Sequence, residues 1–147
     1  MSATPLITER VYDAPANTVW DALTQIDQLR KWYFQLDDFK AEPGFKFTFT
    51  GKDNGNVYIH LCEVKEVIPG RKITYSWVYE GYPGYSEVSW ELFPEGNKTK
   101  VLLTHRGLES FNAIDNPSFQ ISSFQRGWGY FLNEALLKYL DGVTVTQ

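Results

Sequence analysis

Histidine and glutamate side chains are the groups in this sequence whose type and position could support chemistry. His105 continues an apolar row with Val101 and Leu103 on one predicted strand. An imidazole at the end of such a row could donate to a ligand carbonyl, or act as an acid or base near neutral pH. A buried histidine is more often satisfied by neighbouring groups, and we favour that role here. His105 could nevertheless orient the polar end of a ligand, so we include it among the predicted ligand-binding residues.

Three further positions lie on one predicted strand. His60 and Cys62 are two residues apart and would share a face, so both could reach the same interior space. Cysteine is usually a small buried apolar residue, and we assign no catalytic role to the pair. Strict alternation adds Glu66 to that face, where it would be a possible acid or an acceptor for a ligand. A bulge would instead place Glu66 in solvent, where Arg71 or Lys72 could pair with it, and both interpretations stay open.

Motifs for standard hydrolase, nucleotide and zinc chemistry do not occur in the 147 residues. The sequence contains no Gly-x-Ser-x-Gly elbow, no Gly-x-Gly-x-x-Gly loop, no phosphate loop and no His-Glu-x-x-His helix. Two histidines and one cysteine are too few for a structural zinc site, and Cys62 alone cannot form an intramolecular disulfide. We therefore predict no cofactor, no metal and no assigned catalytic residue.

Charge and hydropathy narrow the classes of partner. The 14 basic and 18 acidic residues give a net charge of −4, which argues against a nucleic-acid-binding surface. No apolar run approaches the roughly 20 residues of a membrane span, and residues 1–5 lack the pattern of a secretory signal. We expect a cytoplasmic protein that neither binds nucleic acid nor inserts into a membrane. The oligomeric state stays open.

Aromatic residues are unusually numerous, with 5 Trp, 9 Tyr and 10 Phe. Each one taken alone is best interpreted as a core residue, but so many flat side chains would close a core only by interlocking. Space left between rings could hold a ligand, so we predict that some of them line a cavity. The predicted ligand-binding residues are Phe47, Phe49, Glu66, Tyr75, Trp77, Trp90, His105, Phe124, Trp128 and Phe131.

Six predicted strands and two short helices must position these residues. Period-two alternation, broken by Gly, Pro, Asn and Asp, predicts strands near 6–12, 45–50, 57–68, 72–79, 85–93 and 98–108. The clearest strand signal is the row Phe45, Phe47 and Phe49. Between the first two strands, a helix is predicted from Pro15 to about residue 23, and another begins with Asp27 as its N-cap.

The C-terminal segment predicts one long helix. Ser122 and Gln125 fit a capping box, and Asp141-Gly142 is expected to end the helix. Phe124, Trp128 and Phe131 belong to a broad apolar stripe at three- and four-residue steps, which the sheet must cover. Gly127 and Gly129 each cost about 1 kcal/mol relative to alanine, so we expect them to serve close approach or local flexibility.

Several short stretches resemble the family of proteins similar to the C-terminal domain of the activator of heat-shock protein 90 ATPase. These stretches are Asp13-Ala14-Pro15 with Val19-Trp20, Trp32-Tyr33, Pro43-Gly44-Phe45, residues 66–77, residues 99–107 and Gly127-Trp128. The resemblance runs from about residue 6 to residue 141, and we interpret residues 1–147 as a single START-like domain.

The resemblance implies an α+β helix-grip fold of the START-like, Bet v 1-like superfamily. In that fold a curved antiparallel sheet of about six strands wraps a long C-terminal helix, and two short helices follow the first strand. An apolar cavity between sheet and helix is implied as well, and it suggests binding of a small hydrophobic, lipid-like or aromatic ligand. Two alternatives remain open. One is a cyclase- or hydrolase-type enzyme that uses Glu66 or His105 in the cavity, and the other is a module that stimulates a chaperone ATPase.

Overall fold

The computed structural model describes residues 5–53 and 55–145. Six strands within these residues form one antiparallel sheet. The strands are β1 (Leu6–Tyr12), β2 (Lys46–Asp53), β3 (Asn56–Ile68), β4 (Lys72–Tyr79), β5 (Ser86–Glu95) and β6 (Lys98–Arg106). Their order is β1-β6-β5-β4-β3-β2, so β1 and β2 form the two edges. All neighbouring strands pair antiparallel.

Helices fill one side of the curved sheet. Two short ones, α1 (Ala16–Thr24) and α2 (Ile26–Trp32), connect β1 to β2. After β6 come two short 3₁₀ turns, Leu108–Phe111 and Pro117–Phe119, and then a helical segment in three parts. These parts are α3 (Ile121–Tyr130), a π-helical turn (Phe131–Ala135) and α4 (Leu136–Val145), together called the C-terminal helix below. The predicted helix-grip fold is thereby confirmed.

The inner face of the sheet follows the predicted alternation over most of its length. Phe47 and Phe49 on β2 are buried, whereas Lys46 and Thr50 are exposed. The same alternation on β6 buries Val101, Leu103 and His105, as the sequence predicts. The aromatic rows therefore face the C-terminal helix, because that face is the one the helix shields from water.

A bulge in β3 decides the position of Glu66. Val64 pairs with Tyr75 but Glu66 pairs with Thr74, so Lys65 is one extra residue on β3. The extra residue reverses the alternation beyond it. Glu66 is therefore exposed, and its carboxylate lies 3.1 Å from the Lys72 ammonium. Of the two positions considered for Glu66, the chain therefore takes the exposed one, in which Lys72 pairs with it.

Three predicted helix ends differ from the structure. The N-cap of α2 is Gln25, and Asp27 lies in the first helical turn instead. The N-cap of α3 is Gln120, without a side-chain hydrogen bond, so Ser122 and Gln125 do not form a capping box. The 3₁₀ turn at Pro117–Phe119 already brings the chain to Gln120 in position to start the helix. Gly142 does not adopt the left-handed backbone that ends helices, and α4 continues to Val145.

The π-helical turn lets the C-terminal helix keep one face on the sheet. Trp128, Leu132, Leu136 and Leu140 are spaced by four residues and are all buried. In a regular α-helix this spacing drifts around the axis, because four residues exceed one turn of 3.6. A π-helical turn holds more residues and offsets the drift. The hydroxyl of Tyr12 on β1 donates to the Leu132 carbonyl at 2.5 Å, which ties the helix to the sheet at this turn.

Candidate functional site

A cavity of about 390 Å³ lies between the β2–β4 end of the sheet and α3. Its wall is completed by the 3₁₀ turn Pro117–Phe119 and by Phe34, which follows α2. This volume falls within the usual range for small-molecule pockets. Lys52, Arg126 and Tyr130 are exposed members of the lining, so they mark the mouth of the cavity.

Aromatic rings form most of the cavity wall. The aromatic lining residues are Phe34, Tyr58, Trp77, Tyr79, Phe119, Phe124, Trp128, Tyr130 and Phe131. The other lining residues are Gly51, Lys52, His60, Ser118, Ser123, Arg126 and Gly127. Two tyrosine hydroxyls already hold partners: that of Tyr79 accepts from Trp77 Nε1 at 2.8 Å, and that of Tyr58 accepts from Asn116 Nδ2 at 3.0 Å.

His60 is the buried polar group of this cavity. Its ring stacks on Phe49 at a centroid distance of 4.3 Å, and Trp77 meets it edge-on at 4.8 Å. Burial lowers the pKa of His60 to about 4, so the imidazole is neutral at physiological pH. Nδ1 of His60 is buried and has no hydrogen-bond partner among residues 5–53 and 55–145. A buried polar atom without a partner is rare. The ring of His60 is one of the groups that line the cavity.

Gly51 makes room for the imidazole. A Cβ at Gly51 would lie 2.8 Å from Cε1 of His60 and 3.3 Å from Cε1 of Phe34. Such contacts are too close for a side chain, so only glycine at this point of β2 lets the histidine ring lie flat against the strand. The position of His60 therefore depends on a residue of the neighbouring strand.

His105 belongs to the closed interior and not to the cavity. It is fully buried, and Nδ1 accepts a hydrogen bond from Trp128 Nε1 at 3.0 Å. The second nitrogen, Nε2, lies 2.9 Å from the Ser86 hydroxyl, which itself donates to the Trp77 carbonyl at 2.7 Å. Because Nδ1 is an acceptor, the ring is neutral and Nε2 donates to Ser86. These hydrogen bonds agree with the structural interpretation of His105, which is not among the residues that line the cavity.

The predicted aromatic residues divide into two groups by depth. Trp77, Phe124, Trp128 and Phe131 line the cavity. The other group is packed against neighbouring rings in the closed core, behind the residues of the cavity wall: Phe47, Phe49, Tyr75 and Trp90.

Hydrogen bonds explain why Tyr75 and Trp90, two members of this second group, are closed off from the cavity. Trp90 Nε1 donates to the Tyr75 hydroxyl at 2.9 Å, and the Tyr33 hydroxyl lies 2.8 Å from that of Tyr75. Trp32 covers Trp90 edge-on at 6.0 Å. Trp32 at the end of α2 and Tyr33 after it thus fill the space beside Tyr75 and Trp90, which lie in the core and do not line the cavity.

Several cavity residues were absent from the predicted set. Phe34 and Phe119 lie in segments without regular periodicity, so no sequence pattern places them. Tyr58 and Tyr79 could have been found, since Tyr58 alternates with His60 and Tyr79 continues the row of Trp77. Extending the inward-facing row of each strand by one more step of two residues predicts both.

Cys62 does not join His60 at the cavity. Both are buried on β3, but His60 lines the cavity and Cys62 does not. Burial raises the pKa of the Cys62 thiol far above its usual value, so the thiol stays protonated. A protonated, enclosed thiol is a poor nucleophile. Within residues 5–53 and 55–145, no group of three or more His, Cys, Asp and Glu side chains is arranged to hold a metal ion.

Gly127 leaves open space at the cavity wall. A Cβ there would meet no atom within 4 Å, so of the two expected reasons for this glycine, close approach does not apply. Replacement by alanine should raise the free energy of unfolding by about 0.5–1 kcal/mol, because alanine is the better helix former. Urea unfolding followed by circular dichroism measures this change.

Gly129→Ala is the matched control. Gly129 does not line the cavity, and its Cβ would lie 4.0 Å from Asn133 Nδ2. Both variants should be stabilised to a similar extent, and only Gly127→Ala should narrow the cavity. A loss of stability in Gly127→Ala alone would contradict the open space described here.

Comparison with known protein families identifies the family of this chain. A family model described as "Activator of Hsp90 ATPase homolog 1-like protein" matches residues 13–141. The chain belongs to this family. The match covers most of the span over which the sequence resemblance was found, and it confirms that resemblance. The fold of the Hsp90 ATPase activator homologue family is a ligand-binding fold, and no particular ligand follows from membership.

Solved structures share the fold along nearly the whole chain. Protein MLL2253 from Mesorhizobium loti is 27% identical, with a TM-score of 0.73, over 94% of this chain and 97% of its own. CalU16 from Micromonospora echinospora is 28% identical, with a TM-score of 0.68, over 94% of this chain and 74% of its own.

DynU16, from the dynemicin biosynthetic locus, shares the fold at lower sequence identity. It is 19% identical with a TM-score of 0.74, which shows a common fold alone. The match covers 95% of this chain and 48% of DynU16, so this chain spans about half of that protein. No curated protein sequence matches the chain. In the part of the chain described here, none of the helices has the length and apolar character needed to cross a bilayer.

Proposed function

We propose that this protein binds a small, planar aromatic ligand in the cavity between β2–β4 and α3. The observation that carries the proposal is a cavity of about 390 Å³ whose wall is mainly aromatic and includes the buried imidazole of His60. Pockets for small molecules typically combine an apolar wall with a few polar groups that fix orientation. The cavity has both properties.

Ring geometry in the wall favours a flat ligand. Trp77 and Trp128 meet at a centroid distance of 5.2 Å with their planes inclined by 58°, and Phe131 lies 6.1 Å from Trp128. Rings at such angles offer both faces and edges to a guest, and each aromatic pair contributes about 0.5–1.5 kcal/mol beyond the burial of area. We propose Phe34, Trp77, Phe124, Trp128 and Phe131 as the residues that hold the ring system.

His60 would orient the polar end of the ligand that lies deepest. Its neutral imidazole has one nitrogen that donates and one that accepts, so the ring can bond either a hydroxyl or a carbonyl. His60 would thus have the orienting role that the sequence analysis predicts for His105 and Glu66. The enzymatic alternative depended on those two residues, and neither lines the cavity.

Filling the cavity tests the proposal. In Ser123→Phe the new ring would occupy the space beside Phe124, since Ser123 is a half-buried lining residue of α3. Ser122→Phe is the matched control, because its neighbour Ser122 is exposed and outside the lining. Binding of a planar probe, anthracene carboxamide, is measured by calorimetry and by quenching of tryptophan fluorescence.

We expect anthracene carboxamide to bind the unmodified protein and Ser122→Phe equally, and to bind Ser123→Phe at least about tenfold more weakly, a loss of about 1.4 kcal/mol. Equal binding to both variants would place the ligand outside the cavity. A panel of fatty acids is measured in parallel. Binding of fatty acids without binding of any planar compound would show that the proposed ligand class is wrong.

Stimulation of a chaperone ATPase is a second candidate, supported by the family description. The cavity-filling variant separates ATPase stimulation from ligand binding. ATPase stimulation that is the same with the unmodified protein and with Ser123→Phe would show a docking surface separate from the cavity. Absence of any stimulation would remove this candidate and leave ligand binding unaffected.

A further inference from the structure

We infer that Phe34 sets an upper limit on the size of the ligand, and that Arg30 holds Phe34 in the position that sets this limit. The inference rests on the proposed function and adds the size of the ring system to it. Phe34 lines the cavity and is half-buried, and it belongs neither to the sheet nor to the C-terminal helix. Its position can therefore change without a change in either of those elements.

The ring of Phe34 bridges the edge strand β2 and the C-terminal helix. It stacks on Phe49 of β2 at a centroid distance of 4.3 Å, and it meets Phe131 of the π-helical turn at 4.9 Å. The rings of His60 and Trp77 lie 5.5 Å and 6.2 Å from it. Without the phenyl ring, the space that it occupies beside Phe49 and Phe131 would become part of the cavity.

Phe34 lies in a segment without regular secondary structure that is fixed on both sides. Before it, Tyr33 is buried, and its hydroxyl lies 2.8 Å from that of Tyr75 on β4. After it, the Asp37 carboxylate accepts a hydrogen bond from the backbone N–H of Thr48 on β2 at 2.9 Å. The segment is thus tied to β4 before Phe34 and to β2 after it.

Arg30 on α2 holds the same segment from the helix. Its Nε and Nη2 atoms donate to the Leu36 carbonyl at 3.0 and 2.9 Å, and Nη2 also donates to the Asp37 carbonyl at 3.0 Å. The planar guanidinium makes these bonds together because its donors have a fixed fork geometry. Since Arg30 precedes Phe34 and the two carbonyls follow it, the bonds close a short loop of chain around Phe34. Arg30 therefore restricts how far the Phe34 backbone can move.

Gly51 limits the room behind the Phe34 ring. A Cβ at Gly51 would lie 3.3 Å from Cε1 of Phe34, so little space separates the ring from β2. A wider ligand cannot be admitted by pushing the ring closer to the strand. It can be admitted only if the Phe34 side chain is shortened or its segment moves.

Two neutral planar probes of different width test the role of Phe34. They are anthracene carboxamide and the wider pyrene carboxamide, and the measured quantity is the ratio of their dissociation constants, from calorimetry. We expect Phe34→Ala to shift this ratio toward pyrene carboxamide by at least about tenfold, because small changes of fit in an apolar pocket alter affinity by that much. Phe34→Leu keeps an apolar side chain and should shift the ratio in the same direction to a smaller extent. Circular dichroism checks that both variants are folded.

Arg30→Gln tests the positioning role. It should shift the ratio in the same direction as Phe34→Ala, by about two- to tenfold, the range that corresponds to the loss of a hydrogen bond. In the Phe34→Ala protein the same change should leave the ratio as it is, because no ring remains to be positioned. Lys31→Gln is the matched control, since Lys31 is the neighbouring exposed cation of α2 and makes none of these bonds. It should give the ratio of the unmodified protein.

The outcomes separate this inference from the proposed function. An unchanged ratio in Phe34→Ala and Phe34→Leu, with both probes lost in Ser123→Phe, would overturn the size limit and leave aromatic binding intact. Failure of the unmodified protein and of every variant to bind either probe would overturn both. An effect of Arg30→Gln that persists in Phe34→Ala would show that Arg30 does not act through Phe34, and would overturn its positioning role.

Discussion

Replacing His105 by leucine should lower the free energy of unfolding by about 2–4 kcal/mol, the cost of unmaking two buried hydrogen bonds. Leucine fills a similar volume but accepts nothing from Trp128 Nε1 and donates nothing to Ser86. The indole N–H would then be buried without an acceptor, which costs more than the net value of the bond. Urea unfolding followed by circular dichroism at pH 7 measures the change.

A double-mutant cycle separates the hydrogen bonds from the packing. Trp128→Phe removes the indole donor, so in the His105→Leu protein it also removes the unpartnered group. We expect the two changes together to cost about 1–2 kcal/mol less than the sum of the single changes. Strict additivity would contradict the hydrogen bond between the two side chains.

Acidification should destabilise the protein well above the range in which carboxylates titrate. Burial lowers the pKa of His60 to about 4 and that of His105 to about 3, from an ordinary value of 6.5. Below pH 6.5 the two histidines therefore become protonated in the unfolded chain, while they stay neutral in the folded chain. Their contribution to the free energy of unfolding is fully present above that pH. It is lost as the pH drops toward 4 and 3, by up to about 1.4 kcal/mol per pH unit for each imidazole.

His60→Phe isolates one half of this effect. A phenyl ring can stack on Phe49 as the imidazole does, and no hydrogen bond is lost at Nδ1. The stability difference between this variant and the unmodified protein should change by about 1 kcal/mol or more for each pH unit between 6 and 4.5. Unfolding curves at a series of pH values measure it. Parallel pH profiles of the two proteins would mean that His60 is not a buried neutral imidazole.

Local pattern was enough to predict the strands and the long helix. The row of Phe47 and Phe49 with its polar alternate residues has the period of a strand whatever surrounds it. The apolar stripe through Phe124 and Trp128 likewise has the period of a helix and needs a sheet to cover it. These features are repeated over many residues, so no single contact decides them.

The helix ends and the position of Glu66 could not be predicted in the same way. One extra residue at Lys65 reverses the alternation of β3, and nothing in the residue types between Val64 and Glu66 marks the bulge. The N-cap of α3 depends on a preceding 3₁₀ turn that has no periodic pattern of its own. Features set by one or two residues are weak in a sequence, even where their consequences are large.

The sequence by itself determined the family and the helix-grip fold, through the resemblance of its short stretches, and it determined an aromatic interior through periodicity and the kinds of side chain present. Only the tertiary structure decided which rings surround empty space. Tyr75 and Trp90 are closed off by Tyr33 and Trp32, whereas Trp77 and Trp128 also border the cavity. The difference depends on distances between residues far apart in the chain, since a cavity is the volume that several packed elements fail to fill.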